Sequence, residues 1–140
     1  MSAAGTCLCG AVSVSVSGEL PATATACHCR MCQIWSGAAF WGIVVPKDTV
    51  QVEGPVKLYN SSSFAERAFC AECGTHLWFR DFGADYEFVP GLFAVAHDIT
   101  LDREVYADRA MACVDLAGSH TRISRAEYES NNLFVEGDTP

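Results

Sequence analysis

Apolar and polar positions alternate with period two at the start of the chain. In Ala11 to Ser17 the residues Val12, Val14 and Val16 fall on one face, and Ser13, Ser15 and Ser17 on the other. That spacing predicts a half-buried β-strand, ended by Gly18 and Pro21. Ala38 to Val45 is a continuous apolar run rich in β-formers and closed by the turn Pro46 to Asp48. It predicts a strand buried on both faces. Val50 to Val52 and Val56 to Tyr59 read as shorter strands around the Gly54-Pro55 turn. Asn60 to Ser63 is a polar loop. Phe64 to Phe69 and Thr75 to Phe79 then flank a Cys-x-x-Cys-Gly turn, which predicts a hairpin presenting two sulfurs, with Gly74 freeing the backbone after the second.

Glu87 to Val89 and Gly91 to Val95 continue the β pattern, and Leu101 to Leu116 is mixed. The clear helix signal is Ser124-Arg125-Ala126-Glu127, a capping box opening one short helix. No repeat, low-complexity stretch or linker divides the chain. The expectation is a mainly β single domain over 1–140, built of small antiparallel sheets with at most one or two short helices and stapled by metal as well as by its core.

Composition narrows the class. Of the 140 residues half are hydrophobic and 19% are charged, which suits a globular chain. The net charge is −8, and the cations are Lys47, Lys57 and seven dispersed arginines. Phosphate backbones and anionic membrane surfaces are bound by concentrated Lys and Arg, so neither nucleic acid nor membrane is an expected partner. Residues 1–5 carry no basic patch or apolar core of a secretory signal. The longest apolar stretch is too short to span a bilayer. Ser2 stands where myristoylation needs glycine, and Gly137 to Pro140 is no prenylation box. A cytoplasmic protein is the simplest expectation.

The chemistry lies in the cysteines. Seven of eight fall in three clusters: Cys7 and Cys9; Cys27, Cys29 and Cys32; Cys70 and Cys73. Eight is an even number, but secreted disulfide scaffolds are usually shorter and space their cysteines more widely. Thiolates one or two residues apart instead chelate a soft cation. Two pairs make four ligands and a closed structural zinc; the triplet has three, and three leave a position for substrate or water. One arrangement joins Cys7 and Cys9 to Cys70 and Cys73; another joins Cys7 and Cys9 to two members of the triplet. Donors considered for the triplet's fourth position are His28, His76, His97, His120, Cys113 and solvent. His28 points away from its neighbours in an extended segment, and His76 is the best protein candidate.

A zinc on three thiolates carries a formal charge of −1. It is a poor hydroxide generator and a good holder of another thiol, which it keeps deprotonated near neutral pH. The triplet therefore points to sulfur chemistry more than to hydrolysis. Arg30, Arg67 and Arg80 lie beside the clusters and could hold the carboxylates of a glutathione-like peptide, or be surface charges. Trp35, Phe40, Trp41 and Trp78 could wall a pocket or fill the core. Cys113 reads as a buried small hydrophobe.

The stretches Cys7-Leu8-Cys9-Gly10-Ala11-Val12, Cys27-His28-Cys29 to Cys32 with Ser36-Gly37, and Arg67-Ala68-Phe69-Cys70 to Cys73-Gly74 occur in that order. In this the chain resembles the glutathione-dependent formaldehyde-activating enzyme family, which includes centromere protein V, over about the first eighty residues. The resemblance implies a β-tent fold, a closed zinc at Cys7, Cys9, Cys70 and Cys73, and a catalytic zinc at Cys27, Cys29 and Cys32. It also implies a carbon–sulfur lyase like S-(hydroxymethyl)glutathione synthase, which joins the glutathione thiol to formaldehyde. The later chain departs from the pattern. Gly91-Leu92-Phe93-Ala94 replaces a common Gly-Thr-Leu-Asp, and Cys113 stands near a usual tryptophan.

The leading expectation is thus an enzyme with two zincs per chain acting on a thiol adduct of formaldehyde or another small electrophile. The alternatives are a non-catalytic zinc-binding protein and a thiol-based redox or metal sensor.

Overall fold

A computed structural model of the chain describes residues 2–133 and 135; the C-terminal residues 137–140 weighed above lie outside them. The strands run in the order β1 (Ser2–Thr6), β2 (Ser13–Ser17), β3 (Thr23–Cys27), β4 (Phe40–Val45), β5 (Val50–Glu53), β6 (Val56–Asn60), β7 (Ala65–Cys70), β8 (His76–Asp81), β9 (Tyr86–Phe88), β10 (Thr100–Val105) and β11 (Thr121–Ile123). The α-helices are α1 (Arg30–Ser36) and α2 (Arg125–Asn131). The protein is mainly β, as the alternation predicts. No helix among the described residues is long and apolar enough to cross a membrane. The chain divides into two compact units, one of residues 1–22 and 42–99, the other of residues 23–41 and 100–140.

In the first unit β2 lies between β1 and β5, antiparallel to both, with Val14 opposite Val52 and Val16 opposite Val50. Val12, Val14 and Val16 are buried and the three serines exposed, so the period-two reading holds residue by residue. Gly54 closes the turn before β6 at φ 111°, and a Cβ there would come within 2.1 Å of the Ala11 carbonyl oxygen. Only glycine fits such a position. The second sheet of this unit orders as β4-β9-β8-β7-β6, again antiparallel.

Its core is aromatic. Phe88 is fully buried, and its ring centroid lies 5.7 Å from Trp78, 5.1 Å from Tyr86 and 5.7 Å from Phe93. Truncating a ring so enclosed leaves a cavity that the sheet cannot close. Phe88→Ala is expected to cost about 3–5 kcal/mol in urea unfolding; a loss under about 1 kcal/mol would show that these rings are loosely packed.

Two strand expectations in this unit change. Val44 in β4 is 54% exposed, so the apolar run from Ala38 is not covered on both faces. Continuous hydrophobicity cannot by itself tell a two-sided strand from a half-covered one. Residues 91–95 are not a strand: 3₁₀ turns cover Pro90–Leu92 and Ala94–Asp98, and the pairing that remains is one bridge between Phe93 and Gly5. Pro90 sets φ for a turn and withholds a ladder donor.

In the second unit β10 lies between β3 and β11 and is parallel to both, unlike the antiparallel pairing expected throughout. The parallel register sets Val105 level with Cys27, so the two strands end together. Helix α1 follows β3 directly. Ser124 caps α2 by accepting from the Glu127 N–H at 3.2 Å, as the capping box predicts.

Candidate metal centres

The first unit brings Cys7, Cys9, Cys70 and Cys73 together, and the second brings Cys27, Cys29 and Cys32 together. Within each group the sulfurs lie within 4.8 Å of one another. The pairing of Cys7 and Cys9 with Cys70 and Cys73 is therefore the one realised, not a pairing with the triplet. None of the eight cysteines is in a disulfide.

Two tight turns build the first group. The Gly10 N–H donates to the Cys7 carbonyl at 3.1 Å, and the Gly74 N–H, at φ 77°, to the Cys70 carbonyl at 2.8 Å. Thr75 ties the turns together: its hydroxyl oxygen accepts from the Leu8 N–H at 3.1 Å and lies 3.1 Å from the Cys73 sulfur. The sulfurs of Cys7 and Cys9 are 3.6 Å apart and those of Cys9 and Cys70 3.8 Å. Four sulfurs tetrahedral about zinc at ~2.3 Å stand about 3.8 Å apart, so the donor set fits that ion. The electrostatics agree. Cys73 is drawn down to about 5, first by the Thr75 hydroxyl and backbone and then by the Cys9 backbone. Cys9 is pushed up to about 12: the Ala11 backbone lowers it, but the Cys73 sulfur, burial and the other two sulfurs outweigh that. Neighbouring thiols do not all ionise without a cation between them.

The triplet sits where β3 and β10 end. Cys27 closes β3, and the Cys29 sulfur caps α1 by accepting from the Cys32 N–H at 3.4 Å. Cys29 and Cys32 are buried, and Gly37 at φ 96° ends the helix. The Cys29 and Cys32 sulfurs, and then burial, push the Cys27 thiol well above its ordinary value.

Among the described residues no fourth histidine, cysteine or carboxylate joins the three sulfurs. The ring of His28 is buried and held by Glu104, with Nε2 2.7 Å from Oε1. The ring of His120 is held by the same carboxylate through Oε2. Cys113 is exposed, not buried as read from sequence. His76 opens β8 in the first unit, where burial and the Arg67 guanidinium lower its pKa. The arginines also differ from a row of surface charges. Arg67 is 1% exposed with its guanidinium 4.9 Å over Phe79, Arg80 lies 4.2 Å over Tyr86 and pairs with Glu66, and Arg30 is exposed. Trp78 is a core residue whose indole N–H donates to Glu66 at 3.2 Å.

Sequence reasoning passed over Thr75, Glu104 and Tyr106. Tyr106 follows β10 and is the one described non-glycine residue at positive φ, 55°. Its hydroxyl donates to Glu129 at 3.2 Å. Burial, then the Glu129 carboxylate, then the sulfurs of Cys29 and Cys27 hold its phenol far above the ordinary value. A strained backbone beside a donor cluster is a recurrent mark of a functional site. Its only sequence trace is Glu104-Val105-Tyr106 within the mixed segment Leu101 to Leu116.

The chain is similar to known proteins in sequence and in fold. An uncharacterized lyase of Schizosaccharomyces pombe is 38% identical over 116 residues, covering 81% of this chain and 84% of that protein. A crystal structure of a Rhodobacter sphaeroides protein superposes with a TM-score of 0.55 at 23% identity, covering 70% of this chain and 98% of that one, which bears on the fold. Residues 2–109, spanning strands of both units, match the family described as glutathione-dependent formaldehyde-activating enzyme, and the chain belongs to that family.

Proposed function

We propose that the protein is a zinc-dependent carbon–sulfur lyase acting on the adduct of a glutathione-like thiol with formaldehyde or another small electrophile. Cys27, Cys29 and Cys32 hold the catalytic ion, and Cys7, Cys9, Cys70 and Cys73 hold a structural one. The observation that carries this reading is the unequal donor count, four sulfurs in one group and three in the other. Family membership and a relative named as a lyase support it. A cytoplasmic setting, where thiols stay reduced, suits it.

The chemistry that a zinc supplies on three thiolates is charge stabilisation of a thiolate or of an aldehyde oxygen. The chain's own residues do the rest. Cys27, Cys29 and Cys32 would hold the ion with three of the four donors that zinc takes, and so would leave a position for a reactant. Helix α1 and the αL turn at Tyr106 flank them. With its pKa raised, the Tyr106 phenol stays protonated and keeps its bond to Glu129. In the forward direction the thiol loses its proton, its sulfur bonds to the aldehyde carbon, and the proton ends on the former carbonyl oxygen. The reverse breaks the carbon–sulfur bond and restores thiol and aldehyde. Such additions are intrinsically easy, so proximity and charge suffice.

The test is exchange spectroscopy by NMR on ¹³C-formaldehyde and glutathione at equilibrium. The zinc-loaded protein is expected to speed interconversion with S-hydroxymethylglutathione, and chelator to remove the effect. No acceleration with either glutathione or other small thiols, with both zincs in place, would favour a non-catalytic zinc-binding protein.

A further inference from the structure

Glu104 takes no part in the reaction as described, yet three groups converge on its carboxylate. It is 4% exposed. His28 Nε2 lies 2.7 Å from Oε1, and Oε2 meets His120 Nε2 and, at 3.2 Å, Arg122 Nε. We propose that Glu104 is a positioning residue for the three-sulfur centre: through His28 it fixes the chelating loop before a metal arrives. The inference rests on the reading above that Cys27, Cys29 and Cys32 hold a metal ion.

His28 stands between two of the three donors, and each of its other attachments is also held. Its N–H donates to the Val105 carbonyl at 3.0 Å. Its carbonyl accepts from the Gln33 side chain at 2.9 Å, and the same amide reaches the Arg109 carbonyl at 2.7 Å. The ring is the third point. An ionised carboxylate only accepts, so Nε2 of both imidazoles carries the proton. Burial raises the Glu104 pKa, but the bonds from His120 and His28 outweigh it and leave the carboxyl below its ordinary value.

Stability alone does not account for this cluster. His28 Nδ1 is buried without a partner, which is unfavourable. Replacing a buried ionic group with packed apolar side chains is often neutral or better. What the cluster secures is direction: the backbone from Cys27 to Cys29 is pinned at N–H, carbonyl and ring. The four-sulfur group is braced differently. Its donors come from turns some sixty residues apart, joined through the Leu8 N–H to Thr75 hydroxyl bond, and Cys9 and Cys73 are exposed. Ion exchange at the triplet therefore proceeds on a prebuilt loop. Outer contacts of this kind govern about 10- to 100-fold in metal affinity.

The experiment compares zinc-loaded wild type with Glu104→Gln, whose amide N–H₂ faces one of the two imidazole donors. Each protein is titrated with chelator, pulsed with iodoacetamide, and read at each cysteine by peptide mass spectrometry. In Glu104→Gln, Cys27, Cys29 and Cys32 are expected to become reactive at about 10-fold or more lower chelator, with Cys7, Cys9, Cys70 and Cys73 unchanged. His120→Ala, outside the loop, is expected to move the same three in the same direction by less, and it carries the test if Glu104→Gln does not fold. Unchanged protection of the triplet overturns the proposal, as does equal loss at all seven cysteines, the mark of a merely structural role. Wild type whose triplet is unprotected at saturating zinc, while the other four are protected, removes the catalytic-ion reading itself and this inference with it.

Discussion

Cys70→Ser is expected to abolish cooperative folding of the first unit and to leave at most one zinc per chain. Cys70 is fully buried and ends β7; its N–H donates to the Thr75 carbonyl at 2.9 Å within the hairpin, and its sulfur lies 3.8 Å from that of Cys9 in the turn after β1. Closed thiolate sites contribute folding free energy directly, with apparent values of about 10–16 kcal/mol for small zinc domains. A domain's net stability is roughly 5–15 kcal/mol, so losing this ion exceeds what the aromatic core can offset. Serine keeps the shape but not a soft thiolate. Circular dichroism during thermal unfolding checks the result: a loss of the transition is expected. A variant that melts like wild type while retaining one zinc would mean that these sulfurs do not staple the fold.

Cys32→Ser has the opposite profile. It removes one of the triplet's donors, and two sulfurs do not hold a catalytic ion in place. Thiol-adduct turnover is expected to fall at least about 100-fold, the loss typical when a preorganised stabilising charge is removed. The zinc content is expected to drop from two to one. Folding is expected to survive, because the loop is tied through His28, Gln33 and Glu104 as well as through its sulfurs. Exchange NMR for activity, elemental analysis for zinc and thermal unfolding for stability separate these effects. Full activity in Cys32→Ser would place the chemistry elsewhere.

The parts legible in the sequence are those written in local pattern. The valine–serine alternation at residues 12–17, the hairpin around Cys70 and Cys73, and the capping box at Ser124 each depend on neighbours a few residues away. The seven clustered cysteines announced the two donor groups in the same way. What escaped depends on distant partners. The sequence pattern marks no strand before Cys27, yet Thr23–Cys27 is one because β10 pairs with it from more than seventy residues on. Helix α1 was missed because its cap is a cysteine, not one of the usual hydroxyl or carboxylate residues. Glu104 stands unmarked in a mixed segment; its partners His28 and His120 come from either side of it in sequence. Cys113 looked like a buried small residue and is exposed, since the turn after Met111 carries it outward.

The account depends on two sulfur centres of unequal closure within one chain. Native mass spectrometry along a chelator titration of the reduced protein measures that directly. Two zincs at the start, a broad range in which a single zinc remains on folded protein, and loss of the second only with unfolding are the expected course. One zinc at saturation, or two that leave together, would contradict it.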